Sequence, residues 1–223
     1  MKIYALLMCC CLSSLLNAQI TKGTVLIGGD VGISGSKYKN ENPAYSQYVL
    51  ESQSYSINPS VGWAVKENLV VGGRLILNFS DYEQQSSPNL TSKNHNIGAG
   101  IFIRKYQPLG KSFYLFGDAG LGAQSVYRLI EPFQQPFNYK ETGYAINATI
   151  FPGIAYQVNR HFLLEVALNN LLSVGYEHKN TEDHNAGGNN YKGVNNSYHI
   201  TSSLSNGVPL QIGVRWMITK NKI

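Results

Sequence analysis

The chain has 223 residues and sets 18 lysines and arginines against 13 aspartates and glutamates, a formal charge of +5. That length suits one domain, and no run of Lys and Arg is long enough to track a phosphate backbone, which excludes nucleic acid as a partner. All three cysteines (Cys9, Cys10, Cys11) crowd into the first segment, so the remainder has neither a disulfide framework nor a Cys-ligated metal site.

Met1-Lys2, the apolar run Ile3 to Leu16 and the small residue in Asn17-Ala18-Gln19 describe a secretory signal peptide cut after Ala18. The run is shorter than the roughly 20 residues a membrane-spanning helix needs. Leu6-Leu7-Met8-Cys9 is lipobox-like, but Met8 is not the small residue such a site requires, and Asn17-Ala18 is the better cut. Loss of Lys2 leaves 17 basic against 13 acidic residues, a balance of +4. Residues 1–18 are therefore expected to be the signal and residues 19–223 a single domain.

Beyond the signal, polarity alternates with a period of two, as in a strand whose side chains point to opposite faces in turn. Eight segments follow this rule. The first, Thr24–Ser36, sets Val25, Ile27, Gly29, Val31 and Ile33 against Gly28, Asp30, Gly32 and Ser34. The second, Ser52–Val65, is the clearest: Tyr55, Ile57, Pro59, Val61, Trp63 and Val65 share one face, while every residue between them is small or polar. The third, Leu69–Tyr82, opposes Leu75, Leu77 and Phe79 to Arg74, Asn78 and Ser80. The fourth, Asn94–Tyr106, opposes Ile97, Ile101 and Ile103 to Asn96, Gly98, Gly100 and Arg104. The fifth, Ser112–Arg128, and the sixth, Glu141–Val158, repeat the pattern, with Asp118 on the small face of the fifth. The seventh, His161–Tyr176, carries Glu165 there, and the eighth, Tyr198–Ile218, carries Arg215.

The connections alternate in length. Short turns fall at Lys66-Glu67-Asn68, Gln107–Lys111 and Asn159-Arg160, and long polar stretches at Lys37–Glu51, Glu83–Lys93, Leu129–Lys140 and Glu177–Ser197. Short periplasmic turns facing longer outer loops are the asymmetry of a transmembrane barrel. A soluble barrel would bury its large residues and fill its core with them. Here the large residues share one face and the opposite face is Gly, Ser, Asn and Ala with isolated charges, which suits a narrow lumen with lipid outside. A mean hydropathy of −0.17 is no contradiction, because each strand is apolar only at alternate positions. The expected fold is all-β, an eight-stranded antiparallel transmembrane β-barrel with short periplasmic turns and long extracellular loops.

The stretches Gly23–Gly29, Ile57–Gly62, Arg104–Gly110 and Gln211–Ile218 resemble small outer-membrane β-barrel proteins of the OmpA/OmpX/opacity type, in the style of outer-membrane beta-barrel domain proteins of Bacteroidetes-like bacteria. The resemblance implies the bacterial cell outer membrane as location. It implies outer-membrane lipid, lipopolysaccharide and the barrel-insertion machinery as partners, with an unidentified extracellular ligand for the loops and a monomeric state. Such chains usually finish on an aromatic residue, a place that Trp216 would take here.

The lumen-facing charges Asp30, Arg74, Arg104, Asp118, Glu165 and Arg215 are expected to pair into a structural network, because an unpaired buried charge is expensive. Asp183–Gly188 resembles the opening of a calcium loop, but Val194 stands where that pattern needs Glu. No metal or other cofactor is expected. His199-Ile200-Thr201 is the nearest match to the His-x-Ser pair of barrel deacylases, with Thr in place of Ser and no acid partner. The expected function is structural or surface-binding through the extracellular loops, without catalysis. A small gated porin-like channel is the alternative, and an enzyme of outer-leaflet lipid the third.

Overall fold

In a computed structural model the chain is described over residues 19–40, 48–85, 90–132, 138–168, 171–184, 190–202 and 210–219, and every regular element among them is a strand. The expected signal, its cysteines, the tip of the calcium-like loop at 185–189 and the end at 220–223 lie outside the described residues. The strands are β1 (Val25–Asn40), β2 (Tyr48–Lys66), β3 (Leu69–Gln85), β4 (Leu90–Pro108), β5 (Phe113–Pro132), β6 (Asn138–Asn159), β7 (Phe162–Leu168), β8 (Leu172–His184), β9 (Asn190–Thr201) and β10 (Leu210–Ile218).

All pairings are antiparallel. Strands β1 to β6 pair in sequence order. One half of β6, Gly153–Asn159, pairs with β7, and the other, Asn138–Ile150, pairs with β8. Strand β7 pairs with β10, and β10 with β1 from Val25↔Ile218 to Val31↔Ile212, which closes the ring. Strand β9 pairs with β8.

Ten strands thus replace the expected eight. The expected seventh strand is divided into β7 and β8, and the eighth into β9 and β10. The reason lies in the phase of the pattern. Phe162, Leu164 and Val166 of β7 and Leu172 and Val174 of β8 all fall on even positions, as do Tyr198 and Ile200 of β9 and Ile212 and Val214 of β10. A two-residue period passes through both breaks without slipping.

The long polar stretches are corrected as well. Most of Lys37–Glu51, Glu83–Lys93, Leu129–Lys140 and Glu177–Ser197 is strand, and residues 41–47, 86–89, 133–137 and 185–189 within them lie outside the described residues. Strands β1 to β6 run 16 to 22 residues. A bilayer crossing needs only about 9–11 residues. Residues that look like loop by polarity can be strand when both faces of the sheet meet water.

Outside, the wall is apolar between two aromatic girdles. Trp63, Phe113, Tyr156, Phe162 and Trp216 ring the short-turn end, with Phe162 and Trp216 at 4.5 Å and Phe113 and Tyr156 at 4.8 Å between centroids. Tyr55, Phe79, His95 and Tyr127 stand in one cross-strand register at the far end of the apolar runs. Tyr144, Tyr176 and Tyr198 continue that girdle on β6, β8 and β9. Trp63 and Tyr55 lie about 27 Å apart along β2 at ~3.4 Å per residue, and a strand tilt of roughly 35–45° reduces this to about 19–22 Å, slightly under the ~25 Å apolar band of outer-membrane barrels. Beyond Val31, β1 pairs only with β2 among the described residues. Ile33, Tyr198 and Ile200, which flank the interval between β1 and β9, are 75%, 82% and 77% exposed.

At the short-turn end, the segment before β1 folds across the barrel mouth and buries Ile20. Asn68 holds it: the Ile20 amide donates to Asn68 Oδ1 at 2.9 Å, and the Asn68 amide donates to the Ile20 carbonyl at 2.9 Å. Asn68 sits at φ 58°, in the left-handed region. Asn68→Ala keeps neither the side-chain bond nor an easy positive φ, so it should cost about 1–3 kcal/mol. Asn68→Gly should restore the turn but not the bond, and fall between. Urea unfolding of the refolded protein in micelles measures both.

Candidate functional site

The lumen has two unlike halves. Toward the short-turn end it is filled by a core of Leu26, Val70, Phe102, Tyr106, Tyr114, Phe116, Phe151, Leu163 and Met217. That filling departs from the small, wet lumen the alternation implies. Glycines make room for the rings. A Cβ at Gly72 would meet Phe102 at 2.8 Å, and one at Gly153 would meet Phe116 at 2.3 Å.

Above this core lie the six charged residues singled out in the sequence, brought together as one chain of alternating sign. Arg74 of β3 reaches Asp118 of β5. Asp118 also takes Arg104 Nε of β4 at 2.8 Å, and Arg104 Nη1 crosses the lumen to Glu165 of β7 at 2.6 Å. Glu165 pairs in turn with Arg215 of β10, whose Nε lies 3.2 Å from it, and Arg215 Nη2 reaches Asp30 of β1 at 2.6 Å. Three cations meet three anions, so the chain is neutral. Tyr106 donates to Glu165 Oε1 at 2.6 Å. The Arg104 guanidinium lies 4.5 Å over Phe116 and that of Arg74 lies 4.7 Å over Phe102. Tyr106, Phe116 and Phe102 therefore belong to the network, although only the charges stand out in sequence; their signal was placement on the small face two residues from a charge.

Toward the long-strand end the lumen widens into a cavity of about 400 Å³. Arg74 forms part of its floor, and Asn58, Asn78, Gln124, Asn147, Thr149 and Gln211 line the wall. His199 and Thr201 also line it, on one face of β9 as their spacing requires, with Ser173 and Glu177 of β8 in the same wall. Near the mouth Lys179 stands 3.0 Å from Glu177 and 3.8 Å from Glu141, and Arg128 lies 3.8 Å from Glu141. Tyr139, beyond the apolar band on β6, donates to Glu141 at 2.8 Å. Burial, then that hydrogen bond and the Glu141 charge, push its phenol above the ordinary value, so it remains a donor.

Glu177 and His178 point to opposite faces. Glu177 lines the cavity, whereas His178 stacks on Tyr144 and its Nδ1 lies 2.7 Å from Asn196 Oδ1. Among the described residues no group of three or more His, Cys, Asp or Glu side chains is arranged to hold a metal.

No family model matches the chain, and no curated protein matches it. Among solved structures it is similar to a major outer membrane protein from Thermus thermophilus, with a TM-score of 0.50 and 9% identity, over 91% of this chain and 100% of that one. The outer membrane protein OprG from Pseudomonas aeruginosa aligns with a TM-score of 0.45 and 14% identity, over 90% of this chain and 98% of that one. The first of these likenesses is one of fold.

Removing one partner of a buried ion pair leaves the other charge unsatisfied. Glu165→Gln, which strips a charge shared by Arg104 and Arg215, should lose about 3–5 kcal/mol in urea unfolding. Gly213→Ala tests the packing around the same carboxylates, since its Cβ would stand 2.4 Å from Asp30 Oδ1 and 3.3 Å from Glu165 Oε2. It should cost about 1–3 kcal/mol, whereas Gly117→Ala, with nothing within 4 Å of its Cβ, should be nearly neutral.

Proposed function

We propose that this chain is an outer-membrane β-barrel of the bacterial cell envelope, with a structural or surface-binding role and no catalysis. In this reading β7 with β8, and β9 with β10, each form one interrupted crossing, so the barrel is eight-stranded and transmembrane, of the small OmpA/OmpX/opacity kind. The apolar wall between two aromatic girdles supports a bilayer setting, because lipid requires a closed sheet with its large side chains outward. The fold likeness to an outer membrane protein of Thermus thermophilus agrees with it. The short turns then face the periplasm, and the hairpins beyond the upper girdle face the exterior. There the charged outward residues Glu51, Asp81, Glu83, Lys93 and Lys192 suit water and lipopolysaccharide. Insertion machinery delivers the chain, and it acts as a monomer.

The observation that carries the functional part is the ion chain across the lumen. With Arg104 joined to Glu165 at 2.6 Å over a packed aromatic layer, a steady aqueous path has no room. An eight-stranded barrel encloses little more than its own side chains. The cavity open toward the exterior favours a second reading, a gated channel whose gate is this chain of charges. His199 and Thr201 have a carboxylate, Glu177, in the same wall, but Thr is a weak nucleophile without a positioned base.

Refolded protein in planar bilayers should show no steady conductance, together with a heat-modifiable gel shift. Steady wild-type conductance that Arg74→Ala or Glu165→Ala alters would select the channel, and a lipid A mass change lost on His199→Ala would select the enzyme. Trp63 and Trp216, the chain's 2 tryptophans, provide a second check. In proteoliposomes their fluorescence should be quenched more by lipids brominated near the headgroup than near the chain end. Absence of quenching would contradict the membrane setting.

A further inference from the structure

The outward-opening cavity has a chemistry that the blocked lumen alone does not explain. Its wall is rich in amides: Asn58, Asn78, Gln124, Asn147 and Gln211 all line it. Two of these carry buried oxygens without a hydrogen-bond partner, Asn147 Oδ1 and Gln211 Oε1. Gln211 is only 4% exposed, so its oxygen is committed to the interior rather than to bulk water. Both oxygens are sealed within the wall, so it is the rest of these side chains, together with Asn58, Asn78 and Gln124, that presents polar groups to the cavity.

Charge narrows the class of that donor. The floor belongs to the neutral chain of three arginines and three carboxylates, and Arg74, 13% exposed there, is already paired with Asp118. The mouth is balanced too, with Glu141 and Glu177 set against Arg128 and Lys179. Formal charges cancel at both ends, so an ionic ligand would bring a net charge that nothing there offsets. An apolar ligand would desolvate the amide groups that line the wall without pairing them. A molecule that offers donors and acceptors together, without net charge, satisfies both conditions.

We infer that this cavity is a binding site for a small neutral polyol, a mono- or disaccharide, that enters from the long-strand end. Sugar hydroxyls donate and accept in alternation, which is what side-chain amides complement. Phe151 in the lining supplies an apolar patch for a ring's C–H face. The volume of about 400 Å³ lies within the range of small-molecule sites. The inference rests on the closed-lumen reading, in which the cavity opens only toward the long-strand end.

The test is calorimetric titration of the refolded full chain with glucose and maltose, in a zwitterionic detergent because a glycoside detergent would compete. Sulfate and lysine serve as charged probes. Saturable 1:1 sugar binding is expected, weakened about 10-fold or more by Gln211→Leu and by Asn147→Leu. Gln124→Leu, remote from the ion chain, gives a third variant should the first fail to fold, and the heat-modifiable gel shift reports folding for each. Dextran separates two sources of the same chemistry: binding of maltose alone marks a free solute, and binding of both marks the end of a surface glycan. Three results would overturn the inference: no saturable heat up to ~100 mM sugar, equal affinity in all folded variants, or tighter binding of sulfate or lysine. Overturned while the bilayer stays silent, it would leave the closed-barrel reading intact; steady conductance would remove that reading instead.

Discussion

Arg104 joins the two sides of this barrel. It takes Asp118 from the neighbouring strand and Glu165 from across the lumen, and the pairs continue outward to Arg74 at one end and through Arg215 to Asp30 at the other. These residues come from β1, β3, β4, β5, β7 and β10. The remaining ring strands, β2 and β6, contribute Gly62 and Gly153, which stand back from Phe102 and Phe116. Every strand of the ring therefore either enters the ionic chain or makes space for the rings that sandwich it. Such a network tolerates no loss of a single member, because desolvated charges are favourable only while each is matched.

In the proposed membrane setting, a wall with lipid on its outer side inverts the usual division of labour. The large side chains face out, so the interior has mostly small residues with which to hold the two sides together. Hydrophobic burial supplies part of this at the short-turn end, where Tyr106, Phe116, Leu163 and the Ile20 segment close the lumen. Ion pairs supply the rest at mid-height, where there is room for guanidinium and carboxylate but not for a second apolar layer. What lies above is open, polar and balanced in charge. The same constraint thus produces a plug and, on its outer side, a chamber.

Much of this was legible in the chain. The alternation from Tyr55 to Val65 placed the large residues on one face, and Asp30, Arg74, Arg104, Asp118, Glu165 and Arg215 stood out as isolated charges on the opposite face. The partners of those charges were not legible, since Arg215 and Asp30 are 185 residues apart and meet only through ring closure. Nor were the breaks after Leu168 and Thr201, because the phase of the pattern survives them. Asn169-Asn170 and Ser205-Asn206-Gly207 were the available turn signals. The long hairpins were mistaken for loops because polarity on both faces does not distinguish an exposed strand from a coil. Tyr106 and Phe116 were hidden by their type: an aromatic on an otherwise small face reads as an exception until the lumen is seen to be filled.

The central claim is that the ion chain divides the lumen into a sealed side and an open one. Residues 19–223 contain no cysteine, so an introduced thiol is the only one after the expected leader is removed. Thr149 lines the cavity above the chain of charges. In proteoliposomes of known orientation, a membrane-impermeant thiol reagent is applied to Thr149→Cys from each side in turn. The account predicts modification from the long-strand side alone. Comparable reaction from the short-turn side would contradict it.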